Sequence, residues 1–296
     1  MPVPTDRETL ERIAARARAY ADHFELPLKD RAWRGHAGEF AGSGLGSSLD
    51  FQDHRNYLPG DDPRHINWQA FARTGSYSMK LYREEVRPMV EVILDVSDSM
   101  FFDPDKQTRT LELFYFANLA AARGGASTLA YAVKGDHQLR FPAEAIFSHS
   151  WTSAVSEMPE ADSPAEAVNV SPVPMRAQSL RVLISDLLFP VNPEHFLREL
   201  GRRGGRGLVL CPYADSEADP GWEGNYEFIE VESGDRHNHR VDRGLLTRYL
   251  NTYRRHFEMW KTASLKFQIP VARMPANQPF EKALQLEAVP AGAIVL

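Results

Sequence analysis

The sequence predicts an α/β fold in which helices flank a mainly parallel central sheet, preceded by a small β-rich attachment. From residue 88 onward, segments with strand-like and helix-like periodicity alternate, a pattern typical of parallel strands joined by helical crossovers. The runs 89–94 and 180–185 are nearly continuously apolar, as expected for central strands covered on both faces. We therefore expect one α/β core with attachments.

The chain begins with a predicted helix over residues 6–24. Apolar side chains recur there every three or four residues, which is typical of an amphipathic helix. The sequence does not define its partner surface. Residues 26–87 then change to short runs rich in Gly, Asp and aromatic residues, and these favour strands and turns.

The alternating part of the chain can be assigned element by element from its periodicity. The predicted strands are 89–95, 127–133, 138–141, 180–185, 207–212 and 225–232. The predicted helices are about 107–122, about 143–156, 193–203 and 244–263. We expect four parts: an N-terminal helix (1–25), the β-rich attachment (26–87), the α/β domain (88–275) and a C-terminal segment that packs on it (276–296).

The composition narrows the functional classes. The chain has 296 residues, 43% of them hydrophobic, and a net charge of −6, which indicates a globular protein and argues against a general nucleic-acid binder. The single Cys211 excludes an internal disulfide. No signal-peptide pattern and no apolar run of ~18 residues occurs, so we expect a cytoplasmic protein without membrane insertion.

The most informative motif follows the first central strand. Asp95, Ser97 and Ser99 occupy alternate positions directly after the apolar run that begins at Val92. A carboxylate and two hydroxyls on one side of a loop form an all-oxygen set, which suits Mg²⁺ or Mn²⁺. Three oxygens are half of an octahedron, so other ligands must come from another loop, water or a partner.

A second acidic position follows another predicted strand, which ends in Ser185 and Asp186. If the strand order is the usual 3-2-1-4-5, this strand and the strand of Asp95 are neighbours at the switch point, where α/β proteins bind ligands. Two carboxylates that close would repel unless a metal lay between them or one kept a proton. The alternative is that these residues are turn formers or helix caps.

Asp95-x-Ser97-x-Ser99 followed by Ser185-Asp186 resembles the metal-ion-dependent adhesion site of von Willebrand factor A domains. The stretch Arg55-Asn-Tyr-Leu-Pro-Gly-Asp-Asp-Pro-Arg64, which continues to Thr74, resembles the hallmark of the family known as domain of unknown function 58. Genes of that family often lie beside genes for MoxR-type AAA+ ATPases. The resemblance implies a Rossmann-like von Willebrand A-type domain and an ATPase partner.

The resemblance also implies a ligand set. Ser97 and Ser99 would bind the metal directly, and Asp95 and Asp186 would bind it directly or through water. A threonine from the intervening loop would complete the protein ligands, but that loop reads Glu-Ala-Asp162-Ser163-Pro and has no threonine, so Ser163 is the substitute candidate and Asp162 another. In adhesion-type sites a partner's carboxylate fills the open coordination position.

Two other motifs have simpler interpretations. The stretch Pro59-Gly-Asp-Asp62 is typical of a turn whose carboxylates cap backbone amides. The alternating set Asp235, His237 and His239 offers three possible zinc ligands, but its surroundings favour a solvated hairpin with a Ser233-Gly234 turn.

These observations support a non-enzymatic, metal-dependent interaction module as the leading hypothesis. It would act as an adaptor or co-chaperone of a MoxR-type ATPase, or bind a client protein that supplies an acidic side chain to the metal. One alternative is a divalent-metal-dependent hydrolase using Asp95, Asp186 and His237 or His239. Another is a scaffold whose metal site has degenerated, since the threonine is absent.

Overall fold

A computed structural model describes residues 3–28, 49–84, 88–159, 168–230 and 234–296. The chain divides into two compact units, one formed by residues 1–30 with 88–296 and the other by residues 31–87. The strands are β1 Leu49–Asn56, β2 Ser78–Glu84, β3 Met89–Asp95, β4 Ser127–Lys134, β5 His137–Phe141, β6 Leu180–Ile184, β7 Arg206–Tyr213, β8 Gly224–Ile229, β9 Arg236–Val241 and β10 Val271–Pro275. The α-helices are α1 Arg7–Ala21, α2 Trp68–Thr74, α3 Pro104–Arg123, α4 Ala143–Phe147, α5 Trp151–Ser156, α6 Pro193–Leu200, α7 Asp215–Ala218, α8 Arg243–Phe267 and α9 Phe280–Ala283.

The larger unit is built on a six-stranded sheet with the order β10-β7-β6-β3-β4-β5. Five strands are parallel, and β5 pairs antiparallel with β4 at one edge. Counted from β3, the order reads 3-2-1-4-5-6, so the predicted arrangement is confirmed and β3 and β6 are neighbours. The carboxyl ends of these two central strands therefore lie side by side.

The structure corrects several predicted elements. The helix predicted over 143–156 is two short helices, because His149 between them has a φ of 64°. The helix predicted to reach residue 203 ends at Leu200, and Arg203 has a left-handed φ of 56°. Strand β8 lies outside the central sheet and pairs with β9, whereas β10, which the sequence analysis missed, extends the sheet beyond β7.

Helix α1 packs on α3 in the larger unit, which supplies the partner surface that the sequence left undefined. Asp6 caps α1 by accepting a hydrogen bond from the Thr9 amide at 3.0 Å, as an N-cap carboxylate commonly does. Arg16 of α1 forms an ion pair with Glu112 of α3 at 2.8 Å. The C-terminal segment also contacts α1: the rings of Tyr20 and Phe280 pack edge-on, with their centroids 5.4 Å apart.

The core of this unit lies on both faces of the sheet. Helix α3 is buried along most of its length, and on the other side Trp260 of α8 packs with Val209, Leu183 and their neighbours. Residues 168–179, the described part of the connection that leads into β6, also belong to the core, with Val168, Val170, Val173 and Met175 buried. Arg202 donates hydrogen bonds to the carbonyls of Ser171 and Val173 at 2.8 and 2.6 Å, which holds that irregular backbone in place.

A buried ionic network lies at the amino ends of β3 and β6. Glu91 and Arg181 are both fully buried, and their charged atoms lie 3.7 Å apart. Glu91 also accepts hydrogen bonds from the Arg176 amide at 3.0 Å and the Ser179 hydroxyl at 2.5 Å. Arg181 donates to the carbonyls of Leu200 and Arg176. This network meets the requirement that buried charges be paired and hydrogen-bonded.

The smaller unit contains the antiparallel pair β1–β2 and helix α2. Its Pro59–Asp62 stretch is a turn, as predicted: Asp61 accepts a hydrogen bond from the Leu58 amide at 2.8 Å and two from Arg55 at 2.6 and 2.7 Å. Asp62 caps the following turn through the Arg64 amide. The carboxylates of Asp61 and Asp62 therefore stabilise the backbone of their own turn by hydrogen bonding.

Candidate metal site

Asp95 ends β3 as a fully buried carboxylate surrounded by hydroxyls. Its Oδ1 accepts hydrogen bonds from the Ser97 amide at 2.9 Å and the Ser97 hydroxyl at 2.6 Å. Its Oδ2 accepts from the Ser185 hydroxyl of the neighbouring strand end at 2.7 Å. In the described part of the chain, no cationic side chain forms an ion pair with Asp95.

The loop after β3 holds the two motif serines close together. Ser97 Oγ and Ser99 Oγ lie 3.2 Å apart, on either side of the start of a short 3₁₀ turn at Asp98–Met100. Met100 is fully buried, and its sulfur accepts a hydrogen bond from the Asp186 amide at 3.2 Å. The methionine that ends the motif thus links the loop after β3 to the loop after β6.

Asp186 faces a cation that belongs to the chain itself. The ammonium of Lys106 is fully buried and donates to Asp186 Oδ2 at 2.8 Å and to Glu217 Oε1 at 2.5 Å. The sequence argument for the two neighbouring carboxylates did not consider a cation supplied by the chain itself, and Lys106 provides one for Asp186. Lys106 reaches the site from the first turn of α3.

The electrostatics of the two aspartates differ because of Lys106. Burial and the charge of Asp186 raise the pKa of Asp95 to about 7, against the opposing effect of its hydrogen bonds. Burial alone would lower the pKa of Lys106, but Asp186 and Glu217 together raise it above its usual value. Lys106 is therefore protonated at neutral pH, and Asp95 is the carboxylate whose charge lacks a partner.

The donor atoms fit a small divalent cation. Adjacent octahedral ligands of Mg²⁺ at about 2.1 Å lie about 3.0 Å apart, close to the 3.2 Å between the Ser97 and Ser99 hydroxyl oxygens. Asp95 supplies a negative charge beside them. Both oxygens of Asp186 are engaged, one by Lys106 and the other by the Leu188 amide at 2.9 Å, so Asp186 contributes to a cation there only by giving up a bond.

Of the predicted site residues, the structure brings together Asp95, Ser97, Ser99, Ser185 and Asp186. Ser163 and Asp162 lie outside the described residues. Among the residues that are described, no three His, Cys, Asp or Glu side chains converge as a metal cluster. A cation at this edge would therefore depend on the serine hydroxyls.

The histidine motif lies on a hairpin, as predicted. Strands β8 and β9 pair antiparallel, and the exposed rings of His237 and His239 have centroids 6.4 Å apart. Among the described residues no group of such ligands converges at the hairpin, so the zinc interpretation of Asp235, His237 and His239 gains no support there.

Sequence reasoning missed Lys106 and Glu217. One signal was available: Lys106 follows the helix-start residues Asp103 and Pro104, and a cation in the first turn of a helix is disfavoured by the helix dipole. Such a lysine needs an anionic partner outside the helix. Glu217 gave no comparable signal, because its place beside Lys106 depends on how the turn after β7 packs.

The fold and this site define an open α/β protein with a carboxylate and hydroxyl site at the carboxyl ends of two central strands. The family model described as "Protein of unknown function DUF58" matches residues 53–258, more than half of the sequence. The chain belongs to this family.

Relatives of similar sequence occur in mycobacteria. Uncharacterized proteins of Mycobacterium bovis and Mycobacterium tuberculosis are 28% identical over 194 residues, which covers 61% of this chain and 60% of theirs. The chain thus spans about 60% of the length of these relatives.

The structural comparisons are more distant. A crystal structure of an aerotolerance-related membrane protein from Bacteroides fragilis is 14% identical, with a TM-score of 0.33 over 61% of this chain and 98% of that one. The conserved hypothetical protein BatB from Bacteroides thetaiotaomicron is 12% identical, with a TM-score of 0.32 over 60% and 99%. Within the described residues, no helix is long and apolar enough to cross a bilayer.

Proposed function

We propose that this protein is a metal-dependent protein-interaction module that binds Mg²⁺ or Mn²⁺ at the carboxyl ends of β3 and β6. The observation that carries the proposal is Asp95, a fully buried carboxylate beside two serine hydroxyls and without an ion-pair partner among the described side chains. A bound cation would neutralise it and offer an open coordination position to a carboxylate of a partner protein.

Binding accounts for the site better than catalysis does. Lys106, the basic group bonded to Asp186, is held as an ammonium ion by two carboxylates, so it is a poor general base. Magnesium lowers the pKa of a bound water less than zinc does. The partner follows from the family resemblance: a MoxR-type AAA+ ATPase, a client protein with an exposed acidic side chain, or both, in the cytoplasm.

The first test is metal-dependent stability. Millimolar Mg²⁺ or Mn²⁺ is expected to raise the melting temperature of the full chain by about 5 °C when the metal is present at ~100 times its Kd. Asp95→Ala should abolish the rise. Asp105→Ala is the matched control, because Asp105 is an exposed carboxylate in the first turn of α3. A wild-type protein indifferent to both metals and to EDTA would contradict the proposal.

The second test concerns the partner. A MoxR-type ATPase from the same cell is expected to co-purify with the full chain in Mg²⁺ and to be lost in EDTA or with Asp95→Ala. Association that is equal with and without metal would leave an adaptor whose metal site is not used for docking.

Two alternatives remain from the sequence. A divalent-metal-dependent hydrolase would turn over phosphoester or peptide substrates and lose that activity with Asp186→Asn. A scaffold with a degenerate site would carry no metal when it is purified without chelator and analysed by mass spectrometry. The same preparations can therefore distinguish all three hypotheses.

A further inference from the structure

Lys106 is buried more deeply than its charge alone would allow. Its side chain has no exposed surface, and its ammonium lies between Asp186 Oδ2 and Glu217 Oε1, with the Phe102 ring centroid 5.5 Å away. An isolated buried ammonium is strongly unfavourable. The two carboxylates therefore explain why the ammonium is stable there. A single carboxylate would already form an ion pair, so the presence of the second carboxylate requires a separate explanation.

The two carboxylates are held differently. Glu217 is anchored by residues outside the loop after β3: its other oxygen accepts a hydrogen bond from the Ala214 amide at 2.8 Å, and its backbone carbonyl accepts from the Tyr249 hydroxyl at 2.7 Å. Asp186 directly follows Ser185, whose hydroxyl donates to Asp95. Asp186 is thus the carboxylate of the pair that lies next to the hydroxyl shell of Asp95.

We propose that Lys106 is a built-in competitor for the divalent cation: it occupies Asp186 in the metal-free protein, and Glu217 retains the ammonium when Asp186 turns to the metal. This inference rests on the proposed function, because it concerns the regulation of the same metal site. Lys106 is a positioning residue, since it acts on the cation through Asp186.

The arrangement requires the two partners of Asp186 to have opposite effects on metal affinity. Removing the Lys106 charge frees Asp186 and removes a repulsive charge near the metal, so affinity should rise. Removing the Glu217 charge leaves the ammonium with Asp186 as its only carboxylate partner in this pair, so it holds Asp186 more tightly and affinity should fall. A purely structural role for either residue would change stability without this opposition.

The experiment measures the Kd of Mn²⁺ for the full chain by isothermal titration calorimetry at about pH 7.5. Lys106→Met is expected to bind Mn²⁺ at least about tenfold more tightly than wild type, and Glu217→Gln at least about threefold more weakly. Lys266→Met is the matched control, because it also removes one lysine charge, but from an exposed ammonium that pairs with Glu194 on the surface. Its loss should change the Kd by less than about twofold, because solvent and salt screen an exposed charge.

The outcomes separate this inference from the proposed function. If wild type binds Mn²⁺ and both variants shift in the same direction or not at all, the competitor role is overturned and the metal site stands. If wild type does not bind but Lys106→Met does, the competitor role is supported and the metal dependence of the wild-type protein fails. If neither binds, both fail.

Folding can be controlled separately. Lys106→Met leaves two buried carboxylates without their cation, so circular dichroism must first show a folded protein. If it does not fold, Lys106→Met/Glu217→Gln removes one charge of each sign and still frees Asp186. This double variant should also bind Mn²⁺ at least about tenfold more tightly than wild type, and an unchanged Kd would overturn the inference.

Discussion

The two ends of the β3–β6 strand pair carry similar buried acidic groups in different electrostatic environments. At the amino end, Glu91 faces Arg181 and accepts hydrogen bonds from a backbone amide and a serine hydroxyl. At the carboxyl end, Asp95 accepts the same kinds of hydrogen bond but has no ion-pair partner among the described side chains. Lys106 reaches this end of the sheet, but its ammonium is bound to Asp186 and Glu217. Burial alone therefore does not distinguish a structural carboxylate from one that can bind a ligand.

This difference identifies the feature that marks the candidate site. A buried charge that the chain neutralises contributes to the specificity of the fold or to its stability. A buried carboxylate surrounded by hydroxyls but lacking a cation has a raised pKa and can gain from an external cation. Three substitutions test this contrast between the two ends.

The largest effect is expected at the amino end. Arg181→Met removes the cation beside Glu91 and leaves a fully buried carboxylate without its ion pair, which should lower the free energy of unfolding by about 3–5 kcal/mol. Urea denaturation measures this change. The exposed Arg254→Met is the control and should cost less than about 0.5 kcal/mol. A small loss for Arg181→Met would mean that Glu91 is neutralised in some other way.

A smaller, pH-dependent effect is expected at the carboxyl end. In metal-free buffer the pKa of Asp95 is raised to about 7 in the folded protein, against 3.8 for a free aspartate side chain. The folded state thus binds more protons than the unfolded state between these values, and stability falls as pH rises through this window. Asp95→Asn stays neutral at every pH. Its free energy of unfolding relative to wild type should therefore rise by about 2–4 kcal/mol as the pH increases from ~4 to ~8.

Melting curves in EDTA across this pH range measure the difference between Asp95→Asn and wild type. Asp105→Asn, a substitution of an exposed carboxylate, is the control and should keep a nearly constant difference from wild type. If the advantage of Asp95→Asn does not grow with pH, a cation within the chain neutralises Asp95 and the contrast between the two ends disappears.

The smallest of the three effects tests the packing around Arg181. A Cβ at Gly205 would lie 2.3 Å from Arg181 Cζ and 2.6 Å from both terminal nitrogens. Gly205→Ala must therefore displace the guanidinium, which should lower the free energy of unfolding by about 1–3 kcal/mol. Gly221→Ala is the control, because nothing lies within 4 Å of its added Cβ. Equal urea midpoints for the two variants would show that Arg181 can move without loss.

Much of the fold could be predicted because its signals are local. The alternating periodicity identified β3, β4, β6 and β7 and the long helices, and the apolar runs identified the central strands. Other features depend on contacts between distant residues. Strand β10 is short, and its pairing with β7 is not encoded in its own pattern. The break at His149 is accompanied by a 2.7 Å hydrogen bond between His149 Nδ1 and Tyr115, 34 residues earlier in the chain.

The candidate site divides in the same way. The residues Asp95, Ser97, Ser99 and Asp186 could be read from the sequence, because strand ends carry ligand residues and alternate spacing places them on one side of a loop. The charge state of these residues could not be predicted from the sequence. The sequence contains 34 lysine and arginine and 40 acidic side chains, and it does not show which of them pair. Ion pairs form between residues that are close in space rather than in sequence, so only the tertiary structure, which places Lys106 beside Asp186 and Glu217, decides that Asp186 is neutralised and Asp95 is not.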